Sequence, residues 1–101
     1  MRRAGRTDST QTPIVEALRA AGCRVLILSA VGGGVPDLLV YRPATKQWAL
    51  LEAKSRKGKL TSLQVEFRKT WPVFVVRTVT EALEAMGIQV IADVETAGGK
   101  R

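Results

Sequence analysis

Two carboxylates and an ammonium group stand at strand spacing within residues 32–54, GGGVPDLLVYRPATKQWALLEAK. Glu52 and Lys54 are two positions apart, so on a strand both side chains leave one face while Ala53 leaves the other. Asp37 opens the preceding apolar run. If the two runs pair as a hairpin, Asp37 at the start of one lies beside Glu52 near the end of the other. Carboxylate oxygens are the ligands that hard divalent cations such as Mg2+ and Mn2+ prefer. A neighbouring lysine can orient a water and offset charge developing on a phosphate. The chemistry within reach of this cluster is metal-assisted hydrolysis of a phosphodiester. Glu52 is the most informative member. It interrupts the apolar run Trp48-Ala49-Leu50-Leu51, and buried carboxylates are rare unless paired or bound to metal. A structural pair between Glu52 and Lys54 or an arginine is the competing reading, and for Asp37 alone the competing reading is a turn residue.

The elements that must position these groups can be read from periodicity. Ile14, Leu18 and Ala21 recur at i, i+4 and i+7, with Val15 widening the stripe, which predicts a helix from residue 8 or 9 to residue 21. Pro13 suits only a first turn, so the regular part is expected to begin near Thr12, and Gly22 is a stop. Residues 24–28 form a short apolar strand. Residues 29–34 are a loop whose glycines imply backbone conformations or close approaches that side chains forbid. That loop lacks the Gly-Lys-Ser/Thr of a nucleotide P-loop, and no helix follows it. Residues 37–41 and 47–54 are strands joined by 42–46, a length that suits a hairpin. Trp48 and Leu50 share the face of Glu52, while Ala49 and Leu51 share the other. Both faces are apolar, which predicts a central strand covered on both sides.

Downstream, residues 55–59 are a basic loop. Leu63, Phe67 and Trp71 predict a helix over 61–71 that Pro72 ends. Residues 73–77 are a buried-type strand. A last helix starts near Thr78, where Thr78-Val79-Thr80-Glu81 fits a capping box, and stops near Gly87. Residues 88–92 read either as a further short strand or as a covering segment. The expected organisation is a flexible basic arm at 1–7, a single domain over 8–92 and a frayed tail at 93–101. The element order α-β-β-β-α-β-α predicts an α/β fold of three layers, a mixed sheet flanked by helices.

At 101 residues the chain makes one domain. A net charge of +7 favours a polyanionic partner, against the alternative of a solvated basic surface. The chain has no histidine and one cysteine, Cys23, which excludes a Cys–His nucleophile pair and a zinc site of the usual ligand set. Apolar runs fall well short of the roughly 18 residues of a membrane span, and the basic start lacks the apolar segment of a secretory leader. A cytoplasmic protein without membrane association is the expectation.

Pro36-Asp37 followed by Glu52-Ala53-Lys54 resembles the PD-(D/E)xK nuclease signature. The ordered segments GVPDLLV, LLEAKSRKGKLTSLQVEF and VFVVRTVTEALEAMG are similar to the small stand-alone VRR-NUC type of that superfamily, common in phages and bacteria. The resemblance runs from about Asp8 to about Gly87. It implies a restriction-endonuclease-like core and a Mg2+- or Mn2+-dependent endodeoxyribonuclease. Asp37 and Glu52 would be metal ligands together with the Ala53 carbonyl, and Lys54 would position or polarise the attacking water. The resemblance also places a functional glutamine at Gln64, which the local pattern Thr61-Ser62-Leu63-Gln64 reads instead as the close of a capping box. The superfamily puts a further acid on the first helix. Glu16 is the only acid in the helix body but projects opposite Ile14 and Leu18; measured back from Leu18 and Gly22, the spacing of the resembled sequences implies instead the helix start, near Asp8 and Gln11, as the accessory position. Small members of the type tend to be homodimers, some of them acting on Holliday junctions. The candidate seams here are 88–92 and the outer residues of the first helix. Arg56, Lys57, Lys59, Arg68 and Lys69 are candidates for DNA phosphate contacts, against the alternative of a solvated face. The rival to a nuclease is a catalytically inactive nuclease fold that binds DNA or serves assembly.

Overall fold

Alternation along one strand decides how the sheet is buried. In Gln47–Ala53, Ala49 and Leu51 sink into the core at 7% and 0% exposure, while Trp48 on the other face stays 63% exposed. The structure is a computed structural model and describes residues 8–90. Its elements are α1 (Asp8–Ala20), β1 (Arg24–Ile27), β2 (Leu38–Arg42), β3 (Gln47–Ala53), α2 (Ser62–Arg68), β4 (Val73–Val76) and α3 (Val79–Ala85). The fold is α/β in the expected order.

The four strands lie side by side as β1-β2-β3-β4. β1–β2 and β2–β3 are antiparallel, and β3–β4 is parallel because α2 carries the chain back across the sheet. Helices α1 and α3 cover one face. Ile14, Val15 and Leu18 of α1, Ala82 of α3 and Met86 at its C-terminal cap meet Val25, Leu38, Val40, Ala49, Leu51 and Val76 of the sheet in one core. Cys23 belongs to this core, and burial pushes its thiol pKa up, as befits an inert packing residue.

The helix ends follow local chemistry. Gly22 stops α1 at a φ of +93°, and the Cys23 N–H returns to the Leu18 carbonyl. The Arg42 guanidinium donates to the carbonyls of Met86 and Gly87, closing the C-terminal end of α3 against the hairpin.

Several local expectations are corrected. Helix α1 is regular from Asp8, with Pro13 inside it; proline costs the N–H bond of one turn but does not stop a helix whose apolar face is buried. Helix α2 ends at Arg68, three residues before Trp71. The Thr78 hydroxyl accepts the Glu81 N–H, but the Glu81 carboxylate takes the Arg77 N–H at 2.7 Å rather than closing a box on Thr78. Residues 88–90 form no strand, and Ile88 packs on the molecule's own core. The basic arm 1–7 and the tail 93–101 lie outside the described residues, as do 91 and 92.

The largest correction concerns β3. It is central, but the described residues do not cover it on both sides. Helix α2 has seven residues, none buried, and reaches the second face only at the Glu52 end. The helical layer there is one short helix against two on the core side.

Candidate active site

The β2–β3 register pairs Leu38 with Leu51. Carried one step further along the antiparallel ladder, it sets Asp37 opposite Glu52. The two carboxylates are held by different means. The Asp37 Oδ2 accepts the Ala53 N–H at 2.9 Å, which anchors it to the end of β3. The N–H and C=O of a strand residue leave on the same side, so the Ala53 carbonyl, a ligand candidate, faces the Asp37 side as well. Ser29, in the loop after β1, has its hydroxyl 3.0 Å from the Gln11 Oε1, to which it donates, and 3.5 Å from the Asp37 Oδ1.

Gln11 is 6% exposed and so belongs to the interior edge of the site. Of the accessory candidates on α1 whose side chains are described, Gln11 is the one that approaches Asp37: the Ser29 hydroxyl, with one proton to give, lies within reach of both. Glu16 is exposed and makes no described contact with the cluster; it sits on the face of α1 opposite the buried Ile14 and Leu18. The side chain of Asp8 lies outside the described set.

Glu52 is 3% exposed. Its Oε2 accepts the Gln64 Nε2 amide at 3.0 Å and lies 3.7 Å from the Lys54 Nζ. Its Oε1 is buried with no hydrogen-bond partner. Loss of water raises the Glu52 pKa to about 7, the nearby Asp37 charge pushes it the same way, and Lys54 only partly opposes them. A buried oxygen with two lone pairs and no donor is costly. The carboxylate is thus poised to take either a proton or a cation.

Gln64 resolves its two competing roles by filling both. Its Oε1 accepts the Thr61 N–H at 2.9 Å, its own N–H goes to the Thr61 hydroxyl, and its Nε2 holds Glu52. An amide has an acceptor end and a donor end, so capping the helix aims the other end at the carboxylate.

The glycine loop makes that placement possible. At Gly34, with a φ of +86°, a Cβ would collide with the Leu63 carbonyl. The bare backbone lets the first turn of α2 sit against the loop that leads into Pro36-Asp37. Sequence reasoning anticipated a close approach in the loop but not its partner.

Arg77 was missed. Its guanidinium donates to the carbonyls of Ser55 and Gly58 at 2.7 Å each, pinning the basic loop beside Lys54. A charged residue ending an apolar strand was the available signal. Arg56, Lys57, Lys59 and Arg68 project into solvent. Arg68 also borders the hollow lined by Glu52, Gln64 and Phe67. Lys69 is 3.1 Å from Glu66 on the exposed surface of α2, a pairing that leaves less of its charge for a phosphate.

The arrangement suits a divalent cation that keeps part of its water shell. Mg2+ is commonly bound by one or two carboxylates with substrate phosphates completing the shell, and Asp37 with the unpartnered Glu52 Oε1 meets that requirement. Among the described residues no group of three or more His, Cys, Asp or Glu converges. Also among the described residues, no helix is long and apolar enough to cross a membrane. Comparison with protein-family models, curated proteins and solved structures found no match for the chain.

Proposed function

We propose that the protein is a divalent-metal-dependent nuclease that hydrolyses DNA phosphodiester bonds. The observation that carries this reading is Glu52. It is a carboxylate almost wholly removed from water, with one oxygen left without a donor, beside a second carboxylate and a lysine. A purely structural pair would satisfy both oxygens.

Asp37 and the Glu52 Oε1 would hold Mg2+ or Mn2+, with the Ala53 carbonyl alongside. Bound there, the cation supplies Lewis-acid polarisation of the phosphate and lowers the pKa of a water. The protein's own groups do the rest. Gln64 fixes the Glu52 carboxylate through Oε2 and leaves Oε1 free. The Ala53 N–H holds Asp37. Lys54, 18% exposed at its side chain, presents an ammonium group at the rim where a phosphate oxygen or attacking water would lie. The chain's +7 charge supports a polyanionic substrate, with Arg56, Lys57, Lys59 and Arg68 as backbone contacts. Action on branched DNA such as a Holliday junction, and a cytoplasmic setting, belong to this proposal as well.

The rival is a DNA-binding module of the same fold without activity. It is favoured by the presence of only two carboxylates among the described residues at the site. One experiment separates them: purified protein with labelled duplex, flap, single-stranded and four-way-junction DNA, with and without Mg2+ or Mn2+. Metal-dependent products lost in Glu52→Gln support the enzyme. Binding without cleavage under every metal condition supports the rival.

A further inference from the structure

Among the described residues two polar side chains are buried, Glu52 and Gln11. Glu52 belongs to the proposed metal site. Gln11 lies on the apolar stripe of α1, at i to the i+3, i+4 and i+7 of Ile14, Val15 and Leu18, where an apolar side chain would be buried without the cost of an amide. Its amide reaches the Ser29 hydroxyl at 3.0 Å, and that hydroxyl comes within 3.5 Å of the Asp37 Oδ1. The backbone fixes this meeting. The Leu28 N–H donates to the Asp37 carbonyl at 2.6 Å, just past the Ile27–Leu38 pair of the β1–β2 ladder, so Ser29 follows directly on a residue tied to Asp37. The other carboxylate oxygen, Oδ2, is taken by the Ala53 N–H. Oδ1 is therefore the oxygen left for a cation, and Ser29 stands beside it.

We infer that Ser29 is a positioning residue for Asp37, and that the buried Gln11 amide directs the Ser29 proton there. The inference rests on Asp37 as a metal ligand. A serine hydroxyl has one proton to give and lone pairs with which to accept. With the Gln11 Oε1 toward it, that proton is spent on the amide, and the Asp37 Oδ1 meets only lone pairs. The two ends of an amide have the same shape, so turning the group over costs no space. Nε2 then donates to the Ser29 Oγ, and the hydroxyl gives its proton to Oδ1. An ionised carboxylate is a stronger acceptor than an amide oxygen, which selects this second arrangement. Gln11 Nε2, Ser29 Oγ and Asp37 Oδ1 form a chain in which every proton runs toward the carboxylate and each bond polarises the next. The chain fixes the plane of the carboxylate and still leaves Oδ1 a lone pair for the cation. A partner one step behind a metal ligand orients it, and its loss costs about 10–100-fold in metal affinity. Gln11 is thus a donor held back from the cation, unlike the acid that the resemblance puts on the first helix. An ionised acid at this position would take the Ser29 proton for itself instead of sending it on to Asp37.

Mn2+ binding to the full chain without DNA, followed by the loss of the free-ion paramagnetic signal, tests this apart from cleavage. Ser29→Ala should weaken Mn2+ binding roughly tenfold, the lower end of that range because water can stand in for an exposed hydroxyl. Its metal-free melt should hold, since Ser29 packs into no core. Ser29→Thr, which keeps the hydroxyl, should bind Mn2+ as the parent does. Gln11→Leu should weaken Mn2+ to the same degree as Ser29→Ala, with an unchanged or higher melt. The double variant should be no weaker than either single one, because both break one chain. In metal-free protein the Gln11 side-chain NH2 resonances, identified by their loss in Gln11→Leu, should shift in Ser29→Ala. Parent-like Mn2+ affinity in Ser29→Ala overturns the inference. So does a double variant in which the two losses multiply, or Gln11 NH2 resonances indifferent to Ser29→Ala. Asp37→Asn separates this inference from the reading beneath it. If Asp37→Asn binds Mn2+ like the parent, the metal site itself has failed and the role of Ser29 with it. If Asp37→Asn loses Mn2+ while Ser29→Ala keeps it, only the role of Ser29 has failed.

Discussion

Strand β3 presents two faces that differ by one residue of register and by everything in chemistry. Ala49 and Leu51 belong to the buried core to which α1 and α3 contribute, and Ala53 packs against that core. Trp48, Leu50 and Glu52 point the other way, where the cover given by the described residues thins from α2 at Glu52 to an exposed Trp48. The first face is closed by side chains of the same polarity, so its interactions are nondirectional and each residue matters by volume. The second keeps a charged group out of water without giving it a full set of partners. A fold that must hold a reactive carboxylate can do so only where the rest of the strand supplies stability from its other side. That division predicts that substitutions on the two faces fail in different ways.

The largest effects come from adjacent residues of β3. Leu51→Ala leaves a cavity in the core and should cost about 2–5 kcal/mol of stability. In this small domain that lowers the melting temperature sharply and reduces activity only through the folded fraction. Glu52→Gln should do the reverse. Cleavage should fall by roughly a hundredfold or more, while the melting temperature holds or rises because a buried charge is gone. Asp37→Asn should behave like Glu52→Gln. Calorimetry and a metal-dependent cleavage assay on the same preparations make the comparison. An active Glu52→Gln protein under chelator-controlled metal would sink the proposed chemistry.

The closed face was legible in the sequence, and the open one was not. Ile14, Val15 and Leu18 recur with helical period, and Ala49 and Leu51 alternate, so the core could be drawn from spacing alone. Asp37 and Glu52 could be paired because hairpin geometry allows few registers. The apolar character of Trp48 and Leu50 was equally visible but pointed to burial by the chain's own layers. Sequence pattern records that a face is apolar, not how long the helix above it is, and α2 proved three residues shorter than its apolar stripe. Gln64 was undecidable because a capping glutamine and a carboxylate-holding glutamine have the same spacing. Arg77 and Gly34 act through backbone carbonyls of distant segments, which leave no periodic signal.

The two faces should also separate by pH. Glu52 holds its proton up to about 7 in the folded chain against an ordinary value of 4.5. Between those values the native state binds a proton that the unfolded state has lost, so metal-free stability should fall as pH rises from about 4.5 to about 7 and level off above. Glu52→Gln should flatten that window, and Leu51→Ala should shift the whole curve down without changing its shape. A cation at this site competes with the same proton, so Mg2+ affinity should drop by roughly tenfold per pH unit below 7. Thermal melts across pH, with and without Mg2+, measure both. A pH-independent melt in the parent protein would mean that Glu52 is not held as described.

A smaller effect tests the link between the glycine loop and the site. Gly32 and Gly34 both have positive φ, +78° and +86°, so alanine at either should cost on the order of 1 kcal/mol in backbone strain. Only at Gly34 does the added methyl meet the Leu63 backbone, one residue before Gln64; at Gly32 nothing lies within 4 Å. Gly34→Ala should therefore also displace α2, loosen the Gln64–Glu52 bond and lower kcat several-fold. Gly32→Ala should lose stability alone. Equal kcat in the two variants would show that Gln64 does not position Glu52 for the reaction. Gln64→Ala, which removes the bond without moving the loop, should match Gly34→Ala in kcat.

The smallest expected effects belong to the loop after β3, which bears three outward cations and is held by a fourth, Arg77, from the end of β4. Arg77 is half-buried and donates to the Ser55 and Gly58 carbonyls, so its charge is committed to holding the loop. Arg56, Lys57 and Lys59 are exposed, and no ion pair is formed by them among the described residues. Each of the three that meets a phosphate releases counterions, worth about 0.9 in the slope of log affinity against log salt for every phosphate neutralised on duplex DNA. Neutralising all three side chains should weaken binding alike across DNA sequences and reduce that slope by about one unit for each phosphate left without its cation. Arg77→Gln should loosen the loop, visible as faster proteolysis between residues 55 and 59, while leaving the salt slope nearly unchanged. Binding is measured with Glu52→Gln protein so that cleavage does not interfere. If the triple variant keeps the parent slope and affinity, these cations are a solvated surface; if Arg77→Gln lowers the slope as much as they do, Arg77 itself meets the phosphate and the loop is held by something else.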